Sequence, residues 1–97
     1  MPVAALRWPD KDPADVLDYG LDLAEFLALS TPADTISTVA WTVPAGLTAG
    51  VQSHANGVAT TWLSGGSAGT DYTITARITT AAGRVLERSA AIYVREL

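Results

Sequence analysis

Ten consecutive residues in the second half of the chain alternate between two kinds of side chain. Apolar residues take every second position and mostly threonine fills the positions between them, with Tyr72, Ile74, Ala76 and Ile78 on the apolar side. Successive side chains of a strand point to opposite faces, so this period of two over residues 71–80 predicts a strand with one buried face. The many β-branched residues favour the same structure. The chain therefore contains at least one sheet that covers a core.

A second alternating segment follows a short connection that contains a glycine. Gly83 is free to adopt the positive φ that a tight turn needs. Residues 84–94 then carry apolar side chains on one side, which are Leu86, Ala90, Ile92 and Val94. Arg88 interrupts that side, and its long stem lets the charged end reach water. Two alternating strands around a glycine turn predict a β-hairpin.

Three more strands are predicted in the middle of the chain. They cover residues 35–43, 47–52 and 58–64, and the last two are separated by the turn segment Ser53-His54-Ala55-Asn56-Gly57. Asn-Gly is the strongest two-residue turn signal. We expect Trp41 and Trp62 to point inward, because burying an indole gains the most free energy. The residues that share their faces are Val39 and Val43 in one strand, and Val58 and Thr60 in the other.

The first 34 residues allow two interpretations. A regular alternation of apolar residues with Asp or Gly favours a strand over residues 16–22, followed by a short helical turn over residues 23–29. Asp12-Pro13 would instead suit the cap and first position of a single helix over residues 13–28. We favour the strand and keep the helix as the alternative. Residues 1–15 are predicted to be an extended lead-in.

Six or seven short strands with turn signals at near-regular spacing are typical of an all-β sandwich or barrel. Tyr72 stands at the start of the long alternating strand, just after a Gly-rich loop. The tyrosine corner of immunoglobulin-like sandwiches occupies this position, and its hydroxyl bonds back to the backbone of the loop. An ordinary core tyrosine is the alternative.

Length and composition limit the class of protein. The 97 residues fit one domain that can bury a core without cross-links, and the absence of cysteine excludes disulfides and thiolate metal sites. No apolar run approaches the ~20 residues that span a membrane. The first seven residues lack the basic start and apolar core of a signal peptide. We expect a soluble protein made in the cytoplasm.

Charge is distributed unevenly along the chain. Residues 1–34 hold seven acidic and two basic residues, residues 35–70 hold no charged residue, and residues 71–97 hold four arginines against three acids. An acidic chain without a basic face repels phosphate backbones, so nucleic-acid binding is not expected. A neutral surface of this kind often marks a contact with another protein, and wetting by Ser and Thr is the alternative.

Several residues have side chains that could serve in catalysis or metal binding, but their spacing fits no known site. His54 is the only histidine and has no acidic residue within sixteen positions, whereas a catalytic base needs an orienting carboxylate and a nucleophile. Asp10, Asp12 and Asp15 suggest calcium, but the twelfth position of an EF-hand loop would be Leu21 where the loop needs Glu. A loose surface cation site is the alternative to solvated carboxylates.

The Gly-rich segment 65–70 resembles a phosphate-binding loop only in its glycines. It lacks lysine and precedes a strand, whereas phosphate sites of this kind need a helix N-terminus. Asp18 and Asp22 make no convincing acid–base pair, because no further acid is placed to complete a site. We therefore expect no catalytic residue, no cofactor and no metal, and we predict that the protein is not an enzyme.

Three side chains form the candidate protein interface, which consists of Trp8, Arg84 and Arg88. Trp8 lies outside the predicted strands and suits an anchor that a partner buries, with packing on its own domain as the alternative. The arginines of the last hairpin are predicted to meet the acidic N-terminal segment of an adjacent copy. Such pairing would make self-association sensitive to salt.

A series of short motifs, in this order along the chain, resembles a known family. The motifs are Trp8-Pro9-x-Lys11-Asp12-Pro13, Asp18-Tyr19-x-x-Asp22, Asp34-Thr35-Ile36, Trp41-Thr42-Val43-Pro44-Ala45-Gly46-Leu47, Thr61-Trp62-Leu63-Ser64-Gly65-Gly66-x-Ala68-Gly69-Thr70-x-Tyr72 and Thr79-Thr80-x-x-Gly83-Arg84-x-x-Glu87-Arg88. Their order and spacing cover nearly the whole chain. The sequence is similar to the small phage and prophage proteins called fiber–tail adaptor proteins. Leu23 departs from the pattern, which has Trp at that position.

The resemblance implies an immunoglobulin-like β-sandwich, here a single domain over residues 1–97, built into a tailed-phage particle near its tail or fibres. It implies no catalytic residues. We therefore expect a non-enzymatic structural subunit of the virion, present as a homo-oligomer in contact with tail or fibre proteins and bound to neither nucleic acid nor membrane. The alternatives are a head-decoration protein and a carbohydrate-binding β-sandwich module that recognises glycans through tryptophans.

Overall fold

Two β-sheets pack face to face in the computed structural model, which describes residues 6–97. The elements are β1 (Leu6–Arg7), β2 (Leu17–Asp22), α1 (Ala24–Leu27), β3 (Ile36–Thr42), β4 (Leu47–Ala55), β5 (Val58–Gly65), β6 (Thr70–Thr80) and β7 (Val85–Val94). One sheet has the order β1-β7-β6-β3 and the other has the order β2-β5-β4. This is the strand arrangement of an immunoglobulin-like sandwich. The predicted fold class is therefore confirmed.

The hairpin of β6 and β7 forms the longest ladder, which runs from Thr70 opposite Val94 to Thr79 opposite Val85. The alternation predicted for both strands is confirmed, because the apolar sides are buried. The fully buried members are Ile74, Ala76, Ile78, Ala90, Ile92 and Val94. Arg88 lies on the same side but stays exposed, and its guanidinium sits 5.8 Å from the centre of the Phe26 ring.

The N-terminal third is a strand followed by a helical turn, and the alternative of a single helix over residues 13–28 is wrong. Tyr19 and Leu21 bury their side chains opposite small or polar residues of β5, which a helix would not allow. Asp12 accepts a bond from the Ala14 N–H at 2.8 Å and makes a local turn instead of a helix cap. Within residues 6–97, no helix has the length and apolar character of a membrane span.

The turn between β4 and β5 is shorter than predicted. β4 continues to Ala55, so the segment from Ser53 belongs to the strand and only Asn56-Gly57 forms the turn. Both turn residues have positive φ, 52° and 79°, as a two-residue type I′ hairpin requires. The additional strand residues make β4 a nine-residue strand.

Trp62 points to the outside of the three-stranded sheet, which corrects the predicted inward face of β5. The inward residues are Ala59, Thr61 and Leu63, whereas Trp62 is 41% exposed. The register with β2 sets this orientation, since the buried Tyr19 and Leu21 lie opposite Thr61 and Ala59. Trp41, in contrast, packs against the core as expected.

Tyr72 forms the tyrosine corner. Its hydroxyl accepts a hydrogen bond from the Ser67 N–H at 2.9 Å, across the loop between β5 and β6. Gly46 makes room for the ring, because a Cβ at this position would lie 2.9 Å from the Tyr72 hydroxyl oxygen. The φ of +106° at Gly46 also excludes most other residues. The corner fixes the crossover between the two sheets.

Candidate interaction surfaces

The lead-in before β2 closes one side of the sandwich. The Trp8 backbone N–H donates to Ala91 O of β7 at 2.9 Å, and the indole N–H donates to Gly20 O of β2 at 3.2 Å. The ring stacks on Tyr19 with centroids 4.9 Å apart. The structure places Trp8 within the core of its own chain, with 6% of its surface exposed, so little of the ring is left for a partner.

Lys11 is fully buried, which nothing in the sequence indicates apart from its place in the Trp-Pro-x-Lys motif. Its ammonium donates to Gly65 O at 2.7 Å and to Asp12 O at 2.9 Å. Its backbone continues the edge of β7, with the N–H bonded to Tyr93 O and the C=O bonded to the Arg95 N–H. Lys11 therefore joins the lead-in to the end of β5, where the crossover loop begins.

The aspartates of the lead-in bond to the chain itself. Asp10 pairs with Arg95 at 2.7 Å, Asp12 accepts from the Leu97 N–H at 2.9 Å, and Asp15 accepts from the Asp12 N–H at 3.2 Å. Among the residues that the structure describes, no group of three or more potential metal ligands comes together. Asp10 and Asp12 therefore hold the lead-in against the residues that follow β7, whereas Asp15 stabilises the lead-in itself.

Arg84 and Arg88 lie beside α1, on a surface that also includes the apolar residues Phe26 and Leu29. Arg84 pairs with Asp34 at 2.7 Å, and the Arg88 guanidinium donates to Glu87 O at 2.9 Å. We call Phe26, Leu29, Arg84 and Arg88 the arginine surface. Leu29 is 81% exposed and is the most accessible apolar side chain there. Of the three predicted interface residues, the structure brings the two arginines together but leaves Trp8 in the core.

Ion pairs form within one chain at the residues predicted to pair between copies. Arg84 pairs with Asp34, and Arg95 pairs with Asp10. A third, separate pair joins Arg7 to Asp71 by two hydrogen bonds of 3.0 and 2.9 Å. Arg84 and Arg95 therefore already have acidic partners within the chain, whereas Arg88 bonds only to the Glu87 carbonyl oxygen.

The opposite side of the sandwich is open. On this side β3 and β4 form the edges of the two sheets, and a groove of about 290 Å³ runs between them. Its lining includes Val39, Trp41, Gln52 and His54. The indole N–H of Trp41 is buried and has no hydrogen-bond partner within residues 6–97. We call β3, β4 and this groove the charge-free side, because no residue from 35 to 70 is charged.

An apolar pair lies beside the charge-free side, on the outer face of the three-stranded sheet. Val51 is 73% exposed and sits in a bulge where β4 slips against β5 between Ala49 and Gln52. Trp62 lies opposite that bulge, and Gly50 packs so close that a Cβ there would be 3.2 Å from the Trp62 Cβ. The sequence prediction missed this pair because it placed Trp62 inward. Exposed indole and valine side chains are features of contact surfaces.

Fold and surfaces define a small immunoglobulin-like β-sandwich with two surfaces suited to protein contacts. His54 lines the uncharged groove and also a cavity of about 330 Å³ that includes Asp34 and Thr35. Within residues 6–97, no hydrogen bond joins His54 to either residue, and the Asp34 carboxylate instead bonds to Arg84 and to the N–H groups of Thr35 and Ala82. A family model described as podophage GP4 fiber-tail adaptor protein gp77 matches residues 11–93. The chain belongs to this family of phage fiber–tail adaptor proteins, a structural class of virion component. The predicted resemblance is therefore confirmed.

Other comparisons add information on the fold alone. No curated protein matches the sequence. Among solved structures, the chain is similar to an endo-fucoidan hydrolase from glycoside hydrolase family 107, with a TM-score of 0.63 and 16% identity. The similar region covers 95% of this chain but 13% of the hydrolase chain. An identity this low indicates a shared sandwich fold and nothing about activity.

Proposed function

We propose that this protein is a non-enzymatic structural subunit that joins a fibre to the tail of a phage particle through protein–protein contacts. The observation that carries the proposal is the family membership over residues 11–93. A joining protein needs surfaces for more than one neighbour. The arginine surface and the charge-free side, with Trp62 and Val51 beside it, supply two surfaces of different chemistry.

The two surfaces suit two kinds of contact. The arginine surface combines arginine with the half-buried Phe26 and the exposed Leu29, and arginine and aromatic residues are enriched in protein interfaces. The charge-free side offers backbone and apolar groups instead. We further propose that the chain is made in the bacterial host cytoplasm, enters the virion in several copies, and contacts neither nucleic acid nor membrane. The net charge of −4 supports the absence of nucleic-acid contact.

Deletion of the gene from the phage or prophage that encodes this chain tests the proposal. We expect purified particles with heads and tails but without attached fibres, and restoration of the fibres when the wild-type gene is supplied. Trp62→Ala tests the apolar pair of Trp62 and Val51. Val85→Ala, a change at an exposed valine of the other sheet, is the matched control. Particles that carry fibres without this protein, or that never contain it, would contradict the proposal.

A glycan-binding module is the competing function, and the exposed indole of Trp62 makes it directly testable. Trp62 is the most exposed of the three tryptophans, so a ligand stacked on it should shift the fluorescence emission. We expect no shift with host-surface polysaccharide and a shift with purified tail or fibre protein. The reverse result would favour the glycan module.

A further inference from the structure

The two sides of the sandwich differ in how their edge strands are protected. The lead-in covers one side with Trp8 and Lys11, and charged residues surround it. On the other side, β3 and β4 expose their edges without a single charged residue. Natural sheets usually protect such edges with lysine, proline, very short strands or bulges, because an unprotected edge pairs with another chain. An edge left free of charge therefore suggests a pairing partner.

β4 provides the more accessible of the two edges. All of its residues after Leu47 are exposed, whereas Val39 and Trp41 of β3 are half-buried. The bulge between Ala49 and Gln52 interrupts the first part of β4. The regular part that remains is 52–55, which continues to the Asn56-Gly57 turn.

The backbone geometry of this part directs hydrogen-bonding groups outward. Ala55 and Val58 close a two-residue hairpin, and such a closing pair exchanges hydrogen bonds. Bonded and non-bonded pairs alternate along an antiparallel ladder, so Gln52 and His54 direct their N–H and C=O groups away from β5. Within residues 6–97, no loop or side-chain group bonds to them. These four groups are therefore available to an additional strand.

We propose that β4 pairs in an antiparallel manner with β4 of a second copy of this chain, over residues 52–55, and joins two three-stranded sheets into one sheet of six strands. The proposal deepens the proposed function, because it rests on the presence of several copies in the particle. A two-fold contact brings the same surface of both copies together, so that surface must be compatible with itself. An uncharged strand meets this condition, whereas like charges placed opposite each other would not.

Charge also favours a second copy over a foreign protein at this edge. Each copy carries a net charge of −4, so two copies repel except where charge is absent, and residues 35–70 provide the uncharged approach. A foreign partner gains specificity and register from complementary charges, and β4 offers none to be recognised. The two-fold arrangement also places Trp62 and Val51 of both copies on one face of the joined sheet. The fibre or tail protein would then meet an apolar strip shared by two copies.

Sedimentation velocity on the purified full chain, over a concentration series up to about 1 mM, tests the pairing. We expect a dimer that persists in high salt, since no charged group takes part in the contact. Gln52→Lys should raise the dimer dissociation constant about tenfold or more, because it brings two positive charges into one ladder. Val85→Lys places the same charge on an exposed strand residue of the other sheet and should leave the dimer unchanged.

Amide hydrogen exchange supplies a second readout that does not depend on a variant. The N–H groups of Gln52 and His54 should gain protection as the concentration rises, while those of exposed β7 residues such as Glu87 should not. His54→Lys serves as a second variant if Gln52→Lys fails to fold, as judged by its thermal transition. A chain that stays monomeric, or a dimer that both lysine variants leave intact, would overturn the pairing. A phage that still assembles fibres with a monomeric chain would leave the adaptor function standing.

Discussion

Lys11 is the residue whose position departs most from what its chemistry suggests. A fully buried lysine is rare, because the interior disfavours an ammonium without partners. Here two carbonyl oxygens accept hydrogen bonds from its ammonium, one from Asp12 in the lead-in and one from Gly65 at the end of β5. Lys11 acts as a structural link, and its role is set by the carbonyl groups around it.

Replacement of Lys11 should therefore destabilise the fold strongly. We expect Lys11→Ala to lower the free energy of unfolding by about 2–5 kcal/mol, because it leaves a cavity and two unpaired carbonyls. Lys11→Met keeps most of the stem and should cost about 1–3 kcal/mol. Urea denaturation measures both values. Arg77→Met, at an exposed arginine, is the control and should stay within about 0.5 kcal/mol of wild type. Equal stability of Lys11→Ala and the control would contradict the structural role.

Asp34 makes the fold sensitive to acid. The Thr80 hydroxyl, the Arg84 guanidinium and the backbone N–H groups of Thr35 and Ala82 outweigh the effect of burial and lower the pKa of Asp34 to about 2. A carboxyl whose pKa is depressed in the folded state contributes stability above its unfolded pKa and loses that contribution as pH falls through the folded pKa. The contribution of Asp34 should therefore disappear between about pH 4 and pH 2.

The variant Asp34→Asn tests this dependence. It should melt at a lower temperature than wild type at pH 7, because Arg84 loses its charged partner. The difference between the two melting temperatures should shrink as pH falls from 4 to 2, since the wild-type carboxyl is then protonated as well. Thermal melts followed by circular dichroism over this range measure the effect. Asp18→Asn, at an exposed carboxylate, is the control; a constant difference between Asp34→Asn and wild type at every pH would refute the assignment.

At the scale of elements, local patterns predicted most of the strands. The alternation that predicts β6 and β7 depends on residues within one strand, and it needs no knowledge of neighbours. Asn56-Gly57 likewise predicts its own turn, because positive φ at two successive residues is a local property. The strand β2 was distinguished from a helix by the same local period.

The face of β5 could not be predicted in this way, because both of its sides contain one large apolar residue. Trp62 occupies one side and Leu63 the other, so periodicity alone does not decide which is buried. The decision comes from β2, whose large Leu21 needs the small Ala59 opposite it. The charge-free side was visible as a run of neutral residues. Its division into an edge strand, a groove and an apolar pair depends on sheet order, which a single sequence does not specify.

The hairpin turn between β4 and β5 supports α1. A comparison of Gly57 with Gly83 distinguishes the cost of backbone strain from the cost of displacing α1. Gly57 has φ +79°, accepts the Leu23 N–H at 2.7 Å, and would place a Cβ 3.0 Å from the Ala24 Cα. Gly83 has φ +91° but would place its Cβ in open space. Gly83→Ala should therefore cost about 1–2 kcal/mol from backbone strain alone. Gly57→Ala should cost clearly more, since α1 must also move.

Chemical denaturation of the two glycine variants provides the comparison. Hydrogen exchange at the Leu27 and Ala28 amides should be faster in Gly57→Ala than in Gly83→Ala, because these amides bond within the helical turn. The same loss of stability in both variants, with unchanged exchange in the helical turn, would mean that the turn does not support α1.

For the whole molecule, the main division is between a closed, charged side and an open, neutral one. The closed side depends on the lead-in, whose Trp8 bonds to both sheets and whose Lys11 bonds to the end of β5. The family match begins at Lys11, so Trp8 lies just outside it. The structure nevertheless makes Trp8 part of the core. The lead-in is thus as much a part of the fold as any strand.

Removal of the lead-in should therefore abolish cooperative folding. A chain that starts at Asp12 lacks Trp8 and Lys11, so the rings of Tyr19 and Trp41 lose their packing partner and the end of β5 loses its hydrogen bond to the lead-in. We expect loss of the near-ultraviolet circular dichroism signal, binding of a hydrophobic dye and a broad thermal transition. A chain that ends at Glu96 is the matched control, because it loses only an exposed leucine and one surface hydrogen bond. A sharp transition near the wild-type temperature in the shortened N-terminal variant would mean that β2 to β7 hold the sandwich together without help from the lead-in.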